Sequence, residues 1–339
     1  AAPAPRRSRR LPAVSAGKRM RVGAIDIGSN SIRLLVADLA DDPWTGALET
    51  VTRAGEPCRL GRGLQGSGQV QEELVERAGV VAAEFRRRAR SLGAVHVLAG
   101  ATAALRLAAN GAEAARRIGE RAGLPVQVLS GDEEAQLVYQ AVVLGLGARV
   151  RDSQCVVFDL GGGSTEIVSG VGARAGRWAS LPFGAVSLTE RLLPVDPPDA
   201  HTLAEARARI REELMHGAAS MPGRSPLLAG VGGTVTVLAS MDRELAVYEP
   251  SLIEGWWLPR ERAQALVERI VSAGSEARRA LPVMGEGRAD IVAAGALVVE
   301  ALLERFDAAG LLCSTQGLRY GLARRAAAEW AARGPEVTR

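Results

Sequence analysis

Lysine is almost absent from this chain of 339 residues: Lys18 is the only one among 42 basic side chains. That removes lysine Schiff-base chemistry from the folded body, and with it a Walker A phosphate loop, which needs lysine after its glycines. Any cationic contact to a substrate must come from arginine. Aromatic residues make up only 4% of the chain, and the Trp256-Trp257 pair reads as core or interface at a strand end rather than as a base-stacking platform. Cysteine is scarce too. Cys58, Cys155 and Cys313 are odd in number and far apart, which argues for three reduced thiols and against a disulfide framework or zinc site. No apolar run reaches membrane-spanning length; Gly295 and Glu300 interrupt the longest, Ile291 to Leu303. The N-terminal stretch lacks a signal-peptide apolar core, so a cytoplasmic protein with no membrane partner is expected.

The formal net charge of +4 misleads. Arg6, Arg7, Arg9, Arg10, Lys18, Arg19 and Arg21 precede the first expected strand with no acid among them. Taking those seven from 42 leaves 35 basic against 38 acidic residues, a net of −3. The body therefore offers no broadly basic nucleic-acid-binding surface. Residues 1–20 read as a disordered basic tail on their Ala/Pro/Arg/Ser composition, with a natural start expected at Met20.

Two glycine-rich turns stand out, each after an apolar run that carries an aspartate. The first is Val22-Gly23-Ala24-Ile25-Asp26-Ile27-Gly28-Ser29-Asn30-Ser31. The second is Val156-Val157-Phe158-Asp159-Leu160-Gly161-Gly162-Gly163-Ser164-Thr165-Glu166. In both, a strand delivers a carboxylate to a turn of small residues and a second apolar strand leads away. Such turns bring backbone amides and hydroxyls close to phosphate oxygens, and an aspartate beside them can hold a hydrated divalent cation. Two in matching order suggest a duplicated domain that clamps phosphate from both sides.

Periodicity predicts strands over 22–27, 32–38, 47–54, 94–99 and 125–129, with helices over 70–92, 111–122 and 132–146. Gly61 to Gly68 reads as a surface loop. The second half restarts with strands over 154–159, 165–170 and 175–182, then helices over 185–193, 201–218 and 233–242 with a strand at 226–231. A helix over 260–272 follows, then helices over 286–306 and 317–333 around a strand at 310–314. The repeated pattern implies an α/β fold of two actin-like (ribonuclease H-like, ASKHA) domains facing across a central cleft. The expected boundaries are 21–133 and 134–314, with a C-terminal helix at 315–333 packing back onto the first domain.

Further segments narrow the choice. Val97-Leu98-Ala99-Gly100-Ala101-Thr102-Ala103-Ala104-Leu105-Arg106 runs off a strand into an arginine. Val128-Leu129-Ser130-Gly131-Asp132-Glu133-Glu134-Ala135 opens a helix with carboxylates. Leu228-Ala229-Gly230-Val231-Gly232-Gly233-Thr234 is a third glycine turn. With Leu181 to Glu190, Gly287 to Ile291 and Gly317 to Leu322, these segments resemble the exopolyphosphatase / guanosine pentaphosphate phosphatase (Ppx/GppA) family in the right order over roughly residues 20 to 330. The chain stops near where the short, two-domain members stop.

The resemblance implies hydrolysis of the terminal phosphoanhydride of inorganic polyphosphate, with the 5′-phosphate of guanosine pentaphosphate (pppGpp) as the alternative substrate. On it, Glu134 is the base and Glu166 the second essential carboxylate. Asp159 is a Mg2+ ligand through water, with Asp26 in the matching place, and K+ is a candidate activator. Gly161, Gly162, Gly163, Ser164 and Thr165 surround the phosphate from one side, and Ser29, Asn30 and Ser31 from the other. Arg106 adds charge, and Gly232, Gly233 and Thr234 give a further contact. The plainer alternatives are an acidic helix start for Glu133 or Glu134, a surface arginine for Arg106, and an empty strand-to-helix turn for Gly232 to Thr234. An unperturbed carboxylate near pKa ~4.3 would be ionised at neutral pH and suited to act as base. Many members of the family carry a polar residue where Ala103 stands, so one phosphate contact beside Arg106 is missing. The short chain also implies weak processivity or a preference for short polymers. An actin-like-fold kinase, which typically places an aspartate base near its second turn, and a non-catalytic polyphosphate or alarmone sensor are the other classes. A homodimer is one open assembly.

Overall fold

The computed structural model describes residues 19–333 except positions 41, 151, 225, 226 and 286, so most of the tail expected over residues 1–20 lies outside the described residues. The first half runs β1 (Met20–Ile27), β2 (Ser31–Leu39), β3 (Leu48–Pro57), α1 (Leu64–Ser67), α2 (Glu72–Ser91), β4 (His96–Ala101), α3 (Ala103–Leu107), α4 (Gly111–Ala122), β5 (Val126–Val128) and α5 (Gly131–Leu146). The second begins with β6 (Gln154–Leu160), β7 (Thr165–Val171), β8 (Arg174–Leu181), α6 (Ala185–Leu192), α7 (Ala200–Gly217), β9 (Leu228–Gly232) and α8 (Gly233–Asp242). It ends with α9 (Pro250–Ile253), β10 (Trp256–Pro259), α10 (Arg260–Ser272), α11 (Ser275–Arg279), α12 (Val292–Arg305), β11 (Gly310–Cys313) and α13 (Leu318–Arg333).

The strands form two mixed sheets of one design. In the first the order is β3-β2-β1-β4-β5; in the second it is β8-β7-β6-β9-β11, with β10 added on the edge. In each, the first three strands are antiparallel and the next pair is parallel to the central strand. The turns match in length and bonding as well. Ile27 pairs with Ile32 and Leu160 with Thr165, leaving four residues in each turn, closed by Gly28 N donating to Ser31 O at 3.1 Å and Gly161 N to Ser164 O at 3.0 Å.

Alternation along the strands sorts side chains into three cores. Ile25 and Ile27 face α2 and α4, and Val156, Phe158 and Leu160 face α6, α7, α8, α10 and α12. The opposite faces, with Val22, Ala24, Val157 and Val168, share one central core with α5 and α13. There α13 lies on β1, β2 and β4, while α5 lies on β6, β7 and β8. The two helices also pack on each other. α5 opens at Gly131, three residues before the boundary expected at 134. The outer helix α2 buries Leu74, Val75, Ala78, Ala82, Phe85 and Ala89 at helical spacing, with acids in its first turn and arginines in its last.

Several elements differ from the sequence reading for identifiable reasons. β1 begins at Met20, because Arg21 joins Asp38 on β2 through both carboxylate oxygens at 2.7 and 2.8 Å and Arg19 pairs with Glu49. Arg21 thus belongs to β1, and Arg19, just before it, is tied to β3 through its side chain. The stretch after β3 is not a free surface loop: Cys58 N and Arg59 N donate to Asn30 O, and Gly61 N to Ser29 O. Its tip folds into the one-turn α1. α12 starts at Val292 instead of 286, since Gly285 and Gly287 interrupt the pattern and residues 287–291 form turns. Residues 256–259 form a paired strand against β11, with Trp256 Nε1 donating to Asp242 at 2.8 Å. All three cysteines are buried free thiols. Among the described residues no helix is long and apolar enough to cross a membrane.

The α5–α13 contact fixes the spacing of the sheets. A Cβ on Gly321 would meet the Leu137 carbonyl oxygen at 2.5 Å, against rigid helical backbone. Gly321→Leu is therefore expected to lower unfolding stability by about 1–3 kcal/mol through overpacking, read from urea denaturation. A variant as stable as the parent would show that the two helices separate freely.

Candidate active site

The two turns touch. A Cβ on Gly163 would lie 2.7 Å from Ser29 Oγ, and one on Gly162 would lie 3.2 Å from Ser29 Cβ, so only glycine allows this approach. The loop before α6 locks the second turn: Ala185 N and Val186 N donate to the carbonyls of Gly161 and Gly162 at 2.9 and 2.8 Å. The third turn has a different need. Gly232 has φ +121°, a left-handed region that disfavours side chains, and a Cβ there would meet Leu160 O at 2.5 Å.

Between the turns lies a cavity of about 90 Å³. Asp26, Ser29, Asn30, Ser31, Glu134, Asp159, Gly161, Gly162, Gly163, Ser164, Gly233 and Thr234 all line it, so twelve of the sixteen residues singled out from the sequence converge. The other four do not reach it in the same way. Thr165 is turned to the outer core and donates its hydroxyl to Phe183 O at 2.8 Å, because it is one residue out of phase with Glu166. Gly232 lines a neighbouring cavity. Arg106 and Glu166 stand behind Glu134.

Glu134 is oriented by its helix start. Ser130 Oγ accepts from Glu133 N at 3.1 Å and Glu133 Oε2 accepts from Ser130 N at 3.0 Å, a reciprocal cap. Glu133 also pairs with Arg325. Glu133 is thus occupied outside, and Glu134, one step round the helix, points inward and is buried. There Arg106 Nη1, from α3, donates to Glu134 Oε2 at 2.6 Å and to Leu129 O at 3.1 Å, while its Nη2 lies 3.5 Å from Glu166 Oε1. Ser180 Oγ donates to Glu166 at 3.0 Å. The arginine thus spans two carboxylates and does not itself line the cavity.

These carboxylates are not ordinary. Burial, then the neighbouring Glu166, pushes Glu134 well above the usual glutamate range despite the opposing pull of Arg106. Burial also raises Glu166. Asp159 is pushed up to about 7, by burial and then by Glu166, and burial raises Asp26 against the pull of Arg33 and Arg319. The base is therefore not the unperturbed carboxylate expected from the sequence: burial and a neighbouring like charge both favour its neutral form. Glu133, by contrast, is held low by its bond from Ser130.

The structure also brings in arginines that the sequence reading passed over. Arg33 pairs in register with Asp26 across β1 and β2, and Arg288 enters from the turn before α12. Both line the cavity.

Residues 39–328 match the Ppx/GppA phosphatase family. The chain belongs to that family. An "Exopolyphosphatase 2" of Mycobacterium tuberculosis (strain H37Rv) is 34% identical over 290 residues, covering 83% of this chain and 89% of the relative. Among solved structures, a Ppx/GppA enzyme of Aquifex aeolicus superposes with a TM-score of 0.76 at 31% identity, covering 91% of this chain and all of the other. An exopolyphosphatase-like protein reaches a TM-score of 0.82 at 29% identity, covering 91% and 97%. The Ppx/GppA members thus share the two-sheet, actin-like architecture with this chain over most of its length.

The buried charge yields a stability prediction. A carboxyl whose folded pKa is raised loses stability as pH climbs from its unfolded value toward its folded one, and the loss is complete above the latter. For Asp159 the window runs from about 4, its unfolded value, to about 7. Asp159→Asn should thus stabilise the cation-free protein by on the order of 2 kcal/mol at pH 8, with the advantage vanishing near pH 4. Thermal melts in EDTA at the two pH values would check this. An equal effect at both would show that Asp159 is not the strained group.

Proposed function

We propose that this chain is an exopolyphosphatase that releases orthophosphate from the end of inorganic polyphosphate. The observation that carries the reading is the Glu134–Arg106–Glu166 cluster, set directly behind two touching glycine turns. The end phosphate sits between the turns, where amides and hydroxyls of Ser29 to Ser31 and Gly161 to Ser164 meet its non-bridging oxygens. Water attacks the end phosphorus, the bridging P–O bond breaks, and its electron pair leaves with the shortened chain. Glu134 accepts the proton of the attacking water. Arg106 keeps Glu134 aimed and lowers its proton affinity, and Glu166 supports that arginine.

Among the described residues no three His, Cys, Asp or Glu side chains stand close enough to form a metal cage. A Mg2+ held by one or two carboxylates, water and phosphate oxygens needs no such cage. Asp26 and Asp159 suit it: both line the cavity, and burial raises both above the ordinary aspartate range, a shift that a bound cation would oppose. When bound, the ion would neutralise charge on the phosphate oxygens.

Glu134→Gln is expected to cut kcat by about 10²–10⁴-fold while retaining polyphosphate binding. Equal loss of binding would favour a sensor, and near-parental turnover would remove Glu134 as base. Since the base must be ionised and its pKa is raised, the acid limb of kcat/KM should lie above the ordinary glutamate range of ~4.3. Arg106→Gln should move that limb to higher pH. The assay compares polyphosphates with guanosine pentaphosphate, with and without Mg2+ and K+. Release of phosphate from the nucleotide alone would shift the assignment to the pentaphosphate phosphohydrolase.

A further inference from the structure

Residues 58–63, which follow β3, touch both halves of the chain. Toward the first half the segment is fixed. Cys58 and Leu60 are buried in the outer core. The amides of Cys58 and Arg59 donate to Asn30 O at 3.0 and 2.9 Å, and that of Gly61 to Ser29 O at 2.8 Å. Arg59 takes φ +52°, a left-handed conformation uncommon for a residue with a side chain. The path of the segment is thus held at a local conformational cost. Toward the second half, among the described residues, two carboxylates hold it. Glu190 Oε1, on α6, accepts from Gly63 N at 3.2 Å. Asp290 Oδ2 lies 3.4 Å from Arg59 Nη2, while Asp290 Oδ1 accepts from Arg279 at 2.6 Å.

Glu190 also bears on the second turn. It lies four residues after Val186, on the same face of α6. The first amides of that helix donate to the turn, Ala185 N to Gly161 O and Val186 N to Gly162 O. The contacts therefore close a ring. From Ser29 it passes through Gly61 to Gly63, across to Glu190, back along α6 to Val186, and on to Gly162 and Gly163, which approach Ser29. Every link but one is backbone or close packing; Glu190 is the side-chain link. Inside the ring is a hollow of about 10 Å³, with Leu64, Ala104 and Val186 among its walls. That is room for about one water. Ser29, Gly162 and Gly163 line both this hollow and the cavity between the turns. A ring with so little slack passes a shift on one side to the other.

We propose that Glu190 is a positioning residue for hydrolysis: by holding Gly63 N it braces the two phosphate turns at the spacing at which their amides and hydroxyls meet the transferring phosphate. The proposal rests on the exopolyphosphatase reading. The bond needs an acceptor oxygen and not a charge, since its donor is a neutral amide. The brace sets the alignment of donors around the phosphorus under attack, so its loss falls on kcat and not on KM.

Glu190→Ala is expected to lower kcat on long-chain polyphosphate about tenfold, as for one lost hydrogen bond. KM, the pH of the acid limb and the midpoint of urea denaturation should stay at their parental values. Glu190→Gln, which keeps an acceptor oxygen, should recover most of the rate. An unchanged kcat in the alanine variant overturns the proposal and leaves Glu190 an exposed, solvated acid. A fall in kcat that accompanies a lower urea midpoint, or a rise in KM alone, overturns it as well. Hydrogen–deuterium exchange reads the brace without turnover. In Glu190→Ala the amides of residues 61–64 and of residues 161–164 should both exchange faster than in the parent. Faster exchange in the first segment alone shows that the ring does not transmit, and it sinks the proposal. If the parent releases no phosphate from polyphosphate yet both segments respond, the functional reading fails and the brace stands. If the parent releases it while neither kcat nor exchange changes, the brace fails alone.

Discussion

The site depends on the strand period of two. Because side chains alternate, Asp26 must share a face with Val22 and Ala24, and Asp159 with Val157. Those faces look into the central layer of α5 and α13, so both aspartates are delivered to one interior space from opposite sheets. The same alternation brings Arg33 and Glu166 inward from the second strand of each sheet, at the positions paired with the aspartates. A slip of one residue in either turn would exchange these groups with Ile25, Ile27, Phe158 and Leu160, which now fill the outer cores. The matched four-residue turns and their matched closing bonds hold that register.

The consequence is a deliberate electrostatic imbalance. On one side of the cavity Glu134, Glu166 and Asp159 crowd negative charge, and the one arginine in contact with this group, Arg106, reaches only the two glutamates. On the other, Arg33, Arg53, Arg288 and Arg319 crowd positive charge, and among the described residues none of them forms an ion pair, although Asp26 faces Arg33 across the two strands. The two groups are kept apart by the fold, since Arg106 is tied to Leu129 O and Arg53 to Tyr320. Such separation costs stability in the empty protein, a common feature of sites organised for a charged ligand. A polyanion with an associated cation matches it sign for sign.

Much of this was legible in the sequence, for physical reasons. Strand, turn and helix-start signals are local, so the paired glycine turns, the third turn at Gly232 and the acidic start of α5 could be read directly. That only one of Glu133 and Glu134 could face inward followed from helix geometry. Which one it was required the Ser130 cap and the Arg325 contact, and the latter joins residues 192 apart in sequence. Thr165 looked like a continuation of the phosphate turn, yet the strand begins there and alternation turns it outward. Arg288 and Arg319 lay in segments already marked by the family resemblance but were given no role, and Arg33 and Arg53 gave no local signal, because an arginine in a strand is ordinary until distant elements are seen to converge. The missing lysines were a usable clue: they required arginine to supply every cationic contact.

The duplicated sheets explain why the two halves do unequal work. Position for position, Asp26 corresponds to Asp159, but Arg33 on β2 corresponds to Glu166 on β7. In the first half an aspartate faces a cation, and its upward shift is moderated by it. In the second an aspartate faces a carboxylate, and its shift is enlarged. One substitution of charge sign at an equivalent register thus splits a symmetric clamp into a cation-lined side and a carboxylate-lined side. Arg33 belongs to both cavities, so the first half supplies the side along which negative charge can be held. The second half supplies the carboxylates, and α5, which begins as the chain crosses between halves, adds Glu134 to them.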